Sequence, residues 1–224
     1  MGYTVTIMSS DCGPALLEAV VTPSEDGVPG DRAEKGVKVR GAAILPRFHY
    51  LAEQVPEALD AIVARLPDPF RGQVQQGLFP DVWYPLEHFA ALNEAIDTEL
   101  ADGDGGLFVE LGRHSAELTL STIFGSFYQR GNPMYLFQRA QAIWDQYYSS
   151  GRVLVESCGD LAVNLSIVDF ETPNRCVCQT VRGWMERAIE FAGGTAVEVI
   201  ETSCAALGDD ACVLEGTWRL AGGD

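Results

Sequence analysis

Residues 151–220 read GRVLVESCGDLAVNLSIVDFETPNRCVCQTVRGWMERAIEFAGGTAVEVIETSCAALGDDACVLEGTWRL. Arg152–Cys158 and Leu161–Phe170 are β-rich and meet at Gly159-Asp160, which reads as a hairpin. From Arg175 to Ala192 the apolar period becomes helical. Val181, Trp184, Met185, Ala188 and Ile189 form one stripe, and Gly193-Gly194 stops it. Ala196–Ser203 and Ala211–Leu220 are strand-like again, joined by the turn Leu207-Gly208-Asp209-Asp210. The order is ββαββ. An antiparallel sheet with helices on one face, an α+β fold, accommodates it.

Upstream, from Val37 to Ser150, the helical period dominates. Leu59, Ile62, Val63 and Leu66 make one stripe between Pro56 and Pro67. Leu86, Phe89, Ile96 and Leu100 make a second, which ends before the glycine-rich turn at 102–106. Leu107–Arg130 is apolar all round and is expected to be a central, buried helix. Pro133 opens a further helix with Phe137, Ala140, Trp144 and Tyr147 on one face. Thr22–Lys35, rich in Pro, Gly and acid, reads as an exposed linker, and Tyr3–Met8 as a short edge strand. The expected organisation is an N-terminal segment and acidic linker over 1–35. A single domain over 36–220 follows, with a helical layer at 36–150 and a sheet layer at 151–220.

The composition suits a globular protein with its own core: 47% hydrophobic and 21% charged over 224 residues. Fifteen basic residues stand against 32 acidic ones, a net charge of −17, which argues against nucleic acid or an anionic membrane as partner. No apolar run has the length of a membrane span, and the first residues lack the pattern of a signal peptide. A cytoplasmic location is expected. No P-loop, GxGxxG or GxSxG motif is present. His49, His88 and His114 are scattered in sequence, without a partner at metal-ligand spacing. Arg113 is expected to pair with acidic helices, and no enzymatic activity is expected.

The cysteines are Cys12, Cys158, Cys176, Cys178, Cys204 and Cys212, five of them from Cys158 onward. Val197, Val199 and Glu201 share a strand face, so Glu201 points where two valines point. Cys212, Leu214 and Trp218 share a face of the last strand, and Cys178 lies one turn before Val181. Three thiols and a carboxylate can thus converge beneath the sheet, a donor set that suits Zn²⁺. Small core cysteines are the other reading, since no CxxC knuckle is present, and Cys176 can stand in for Cys178.

The segment from Cys178 to Trp218 resembles the end of a 4-vinyl-reductase domain. The likeness rests on Gly183-Trp184 in the helix, Gly193-Gly194 at its end, Glu201 and Cys204 as E-x-x-C, Gly208-Asp209, and Cys212. Lys38-Val39-Arg40-Gly41, Trp83-Tyr84-Pro85-Leu86, Leu111-Gly112-Arg113 and Trp144-Asp145-Gln146-Tyr147-Tyr148 resemble a family of myxobacterial proteins that carry that domain. The resemblance implies the ligand-binding fold shared by nitric-oxide-signalling proteins and TRAPP-type transport subunits. Sensory members of this kind, in phenol-responsive transcription activators, bind aromatic effectors. The resemblance places a structural zinc on Cys178, Glu201, Cys204 and Cys212.

Aromatic residues are dense between Phe124 and Tyr148. Helix–helix core is the simple reading. The functional one is an apolar pocket beneath the sheet whose candidate wall is Phe124, Phe127, Trp144, Tyr147, Trp184 and Ala188. Burying one ring of roughly 150 Å² at about 25 cal/mol per Å² gives near 4 kcal/mol, against about 8 kcal/mol for micromolar binding. A longer acyl or polycyclic ligand is therefore expected. The expected function is non-enzymatic sensing of a hydrophobic, aromatic or acyl small molecule, relayed to a protein partner. The alternative is a dimeric TRAPP-like adaptor without a ligand. A homodimer through the helical layer between Pro85 and Ser150 is expected in either case.

Overall fold

The computed structural model describes residues 36–101, 105–120 and 128–220. The strand expected at Tyr3–Met8, the linker at Thr22–Lys35, and Phe124 and Phe127 lie outside the described residues. In chain order the elements are β1 (Lys38–Arg40), α1 (Gly41–Gln54), α2 (Pro56–Arg65), α3 (Phe70–Gln76), β2 (Trp83–Pro85), α4 (Leu86–Leu100) and α5 (Gly106–Leu120). There follow α6 (Pro133–Phe137), α7 (Ala140–Tyr147), β3 (Arg152–Ser157), β4 (Ala162–Val168), α8 (Arg175–Phe191), β5 (Gly194–Ser203) and β6 (Cys212–Leu220).

The C-terminal part is the expected α+β unit: an antiparallel sheet in the order β3-β4-β6-β5 with α8 between the two hairpins in sequence. Asn174 caps α8, its side-chain oxygen accepting from the backbone N–H groups of Cys176 (2.9 Å) and Val177 (3.3 Å). Gly193, at φ +98°, turns the chain out of the helix. The inner face of the sheet follows the alternation read from the sequence. Cys212, Leu214 and Trp218 are buried with Val163, Leu165 and Ile167. Gly216 keeps that face clear for α8, because a Cβ there would crowd Met185 and meet Val163 Cγ1 at 3.3 Å. The outer face is open, with Leu154 and Ile200 about half exposed.

Helix α5 lies against α8 through two glycines. A Cβ at Gly112 would lie 2.9 Å from both the Thr180 carbonyl carbon and the Trp184 backbone nitrogen, and one at Gly183 would lie 2.7 Å from the Val109 carbonyl carbon. The two backbones are therefore in direct contact. Arg113 flanks the seam and pairs with Glu186 (3.1 Å) and Glu190 (3.0 Å) on α8, the internal ion pair expected of it. α1 packs on the other side of α5, and α2 on α4.

Three local expectations change. The helix opened by Pro133 breaks at Gln138–Arg139 into α6 and α7. The expected helix Leu107–Arg130 is helical through Leu120, and Gln129 already bridges to Asn132 in a turn. β1 and β2 form a two-stranded ribbon inside a region that reads as helical, with Val39 opposite Tyr84. Among the described residues no helix is long and apolar enough to cross a membrane. The exposed large apolar side chains are Phe79, Val82, Leu154, Leu161, Ile200 and Leu207. None of these falls between Pro85 and Ser150 among the described residues.

Candidate functional site

A cavity of about 80 Å³ lies where α1, α6, α7 and α8 meet the inner face of β3 and β4. α6 and α7 supply Leu136, Phe137, Trp144 and Tyr147, and α8 supplies Val181, Trp184 and Met185. Val153 and Leu165 form its floor on the sheet. Of the expected wall residues, Trp144, Tyr147 and Trp184 line this space. Ala188 is buried further along α8 and is not part of the lining. Trp144 is fixed by its indole N–H, which donates to the Ser150 carbonyl at 2.8 Å, and by the Tyr148 ring at 4.3 Å. Burial pushes the Tyr147 phenol up, although hydrogen bonds with Thr119 and Trp184 oppose this. The Tyr148 phenol is pushed up to about 12 by burial, with the Arg47 charge acting against it.

Among the described residues Arg47 is the one charged group in the lining, and the sequence reading missed it. It is 1% exposed and sits inside α1. Its Nε donates to Asn93 Oδ1 (2.6 Å), Nη1 to the Ala43 carbonyl (3.2 Å) and Nη2 to Thr180 Oγ1 (2.9 Å). The Phe89 ring lies 4.1 Å from the guanidinium carbon. Its hydrogen-bond partners among the described residues are neutral. Burial lowers its pKa to about 10, so the group remains cationic at neutral pH. An arginine at 47 on a helical stripe looks like an ordinary surface residue in sequence; only the closeness of α4 and α8 encloses it. A second, larger groove of about 750 Å³ runs beside the ribbon and α4, but its walls are mixed and include Lys38, Glu87 and Glu171.

The sulfur cluster forms only in part as expected. Cys178, Cys204 and Cys212 are buried, and their sulfurs lie within 4.8 Å of one another. Cys178 Sγ and Cys212 Sγ are 3.1 Å apart, and the Ala205 N–H donates to Cys212 Sγ at 3.3 Å. The hydrogen bond from Cys178, with help from backbone N–H groups, lowers the Cys212 thiol, while Cys178 is pushed up. Cys176 stays apart from this cluster. Glu201 does not join it either. Its Oε2 accepts from Arg175 and from Gln179 Nε2 (2.9 Å), both on α8. The β-bulge between Glu201 and Ser203 separates the carboxylate from the following thiol.

Two of the three histidines that look scattered in sequence meet in space. His49 Nδ1 on α1 lies 2.9 Å from His114 Nε2 on α5 and 3.3 Å from Glu53 Oε2. His114 is held below the ordinary imidazole range, by burial first and by His49 second. His88 is buried elsewhere, its ring stacked 4.7 Å from Phe70.

No family model matches the sequence, and no curated protein matches it. Solved structures do. The chain is similar to an H-NOX protein from S. oneidensis in the Fe(II)NO ligation state, with a TM-score of 0.62 at 11% identity, covering 80% of this chain and 99% of that one. It is similar to an Fe(II) unliganded H-NOX protein from K. algicida, with a TM-score of 0.61 at 9% identity, covering 83% and 99%. A Cs H-NOX mutant gives a TM-score of 0.63 at 12% identity, covering 83% and 99%. The fold is thus that of the H-NOX proteins. This agrees with the nitric-oxide-signalling side of the expected resemblance, while the 4-vinyl-reductase and myxobacterial assignments find no match.

The zinc expectation is withdrawn. The structures that share the fold are described by Fe(II), with NO or CO, and by heme, not by zinc. Within the chain, the carboxylate expected to complete the site is bound to Arg175 and Gln179. Heme, in turn, does not fit the cavity. None of the three histidines lines it, and neither does a cysteine, although His and Cys are common axial donors to heme iron. The phenols of Tyr147 and Tyr148 are held protonated by burial. The volume of about 80 Å³ is below even the roughly 150 Å³ that holds a single benzene ring, so a four-ring porphyrin has no room there.

Proposed function

We propose that the chain is a non-enzymatic sensor module whose cavity takes a single aromatic ring carrying an anionic or strongly accepting substituent, and which relays occupancy to a protein partner. The observation that carries this reading is Arg47, a buried cation in the wall of a mostly apolar, aromatic-rich cavity, bonded among the described residues to neutral groups. A buried charge without a counter-charge is costly, and a ligand carboxylate or phenolate offsets that cost. Among the described residues the lining holds no carboxylate, imidazole or thiol to act as a general base, which favours binding over catalysis. The fold shared with proteins solved in NO- and CO-ligated states supports a small-ligand role. The same reading keeps the protein in the cytoplasm, where its free thiols stay reduced.

The size of the space favours one ring over the longer acyl or polycyclic ligand. A dry cavity of about 150 Å³ holds benzene, so the cavity of about 80 Å³ must nearly double to admit a ring. Met185, flexible and in the wall, is suited to give way. Ring burial of about 4 kcal/mol plus about 1.5–3 kcal/mol for a charge-assisted hydrogen bond falls between millimolar and micromolar affinity. The test is a thermal-shift and calorimetry panel at millimolar concentration that compares benzoate and phenol with toluene and a long-chain fatty acid. Benzoate is expected to raise the Tm most, and Arg47→Met to remove its advantage over toluene. If no aromatic compound binds, or if toluene and benzoate bind equally to the unmodified chain, the reading fails.

A further inference from the structure

We propose that His49, Glu53 and His114 form a binding site for a divalent first-row transition-metal ion at the seam between α1 and α5. His49 and Glu53 are four residues apart and therefore share a face of α1. His114 reaches the same point from α5. One ligand atom from each lies within 4.8 Å of the others.

The distances match the edges of a coordination polyhedron. Imidazole nitrogens bind such ions at about 2.0–2.1 Å, so two of them sit about 2.9 Å apart at a right angle and about 3.4 Å apart at a tetrahedral angle. The observed separations are 2.9 Å between His49 Nδ1 and His114 Nε2, and 3.3 Å between His49 Nδ1 and Glu53 Oε2. Hydrogen bonding alone satisfies this arrangement poorly. His49 Nδ1 carries at most one proton, yet both a second imidazole nitrogen and a carboxylate oxygen face it. If His114 supplies the proton instead, the His49 lone pair faces the carboxylate. A cation among the three atoms meets all of them at once.

The surroundings favour such an ion. The edge of the His114 ring packs against Tyr50, with centroids 5.4 Å apart at 79°, which fixes its orientation. The Glu53 side chain is 46% exposed, so solvent reaches the site and water can fill the remaining coordination positions. Two imidazoles and one carboxylate form a donor set for nickel, cobalt or copper rather than for magnesium or calcium. The chain's net charge of −17 raises the local concentration of cations. The site stands apart from the sulfur cluster and outside the cavity. It nevertheless ties together two helices that contribute Arg47 and Ser115 to the cavity wall.

The experiment uses the full chain stripped with a chelator and titrated with Ni²⁺ by calorimetry and with Co²⁺ by visible absorption. One ion per site is expected, with d–d bands and no thiolate charge-transfer band. His49→Gln and His114→Gln should each weaken binding by more than the roughly tenfold that losing an outer-shell partner costs. Glu53→Gln, at an exposed position that leaves folding intact, should weaken it measurably and reduce the metal-dependent rise in Tm. Unchanged affinity in Glu53→Gln and His49→Gln, a spectrum dominated by thiolate charge transfer, or no binding at millimolar Ni²⁺ would each overturn the proposal.

Discussion

Replacing Gly183 by alanine tests the packing that sets the whole core. Helix propensity alone favours alanine by about 1 kcal/mol, so a simple reading predicts a more stable protein. The structure predicts the opposite. The new Cβ would collide with the Val109 carbonyl oxygen and lie 2.7 Å from the carbonyl carbon, whereas carbon–carbon contacts settle at about 3.5–4.0 Å. The obstacle is helix backbone, so no side chain can swing aside, and α5 must move away from α8 by about 1 Å. A gap of that size forfeits a quarter to a half of the attraction at each affected contact. Gly112 makes the mirror-image approach to Thr180 and Trp184, which leaves the seam no slack nearby. Overpacking of this kind costs about 1–3 kcal/mol or more. A rigid backbone obstacle puts the cost at the upper end of that range, and the propensity gain offsets about 1 kcal/mol of it, so the net loss is expected to be about 2 kcal/mol, a fall in Tm of roughly 4–8 °C for a chain of this size. Urea unfolding followed by circular dichroism, with calorimetry alongside, reads it directly. A Gly183→Ala protein as stable as the parent, or more stable, would refute the close backbone contact.

Three further outcomes are expected. Glu190 is held below its ordinary value of 4.5, since bonds from Arg187 and Arg113 outweigh the upward push of burial. Its contribution is therefore complete above that value and lost as pH falls through the lower folded one, so Glu190→Gln should flatten the acid limb of a stability–pH curve below about pH 5, and an unchanged limb counts against the pairing. In native thiol mapping by mass spectrometry, exposed Cys158 should react well before buried Cys178, Cys204 and Cys212, and equal rates would contradict their burial. Ala140→Leu should fill the cavity and abolish aromatic binding with little change in Tm, because Ala140 is partly exposed and its side chain lines that space; retained binding would place the ligand elsewhere.

The sheet and α8 were legible because each carries many residues of one period. Cys212, Leu214 and Trp218 alternate, and Met185, Ala188 and Ile189 keep a helical stripe, so burial is written into the spacing. The ribbon of Lys38–Arg40 with Trp83–Pro85 was not legible, because three residues show no period and their partners are 45 residues away. The break at Gln138–Arg139 was hidden for another reason: Phe137, Ala140 and Trp144 keep helical spacing across it. Of the candidate site, the aromatic wall at Trp144, Tyr147 and Trp184 could be read from density and period. Arg47, the charged residue in that wall, could not. Glu201 was placed on the correct strand face, but the arginine and glutamine that meet it come from α8, and only the packed structure shows them.

Four consecutive residues of α5 show why the rest stayed hidden. Side chains on a helix turn by about 100° per residue, so a central helix sends successive residues to different neighbours. Gly112 lies on the backbone of α8, Arg113 meets Glu186 and Glu190, His114 meets His49 on α1, and Ser115 faces the cavity. Nothing in the string Gly-Arg-His-Ser marks four separate tasks, because the first three are defined by residues more than 60 positions away in the chain and the fourth by a cavity drawn from several elements. These tasks are also coupled. The distance from α5 to α8 is set at Gly112 and Gly183, and that distance places His114 against α1 and Ser115 against the cavity. Widening the seam therefore shifts the imidazole pair and the cavity wall together, whereas a substitution at His49 or Glu53, where α1 meets α5, leaves the contact between α5 and α8 in place.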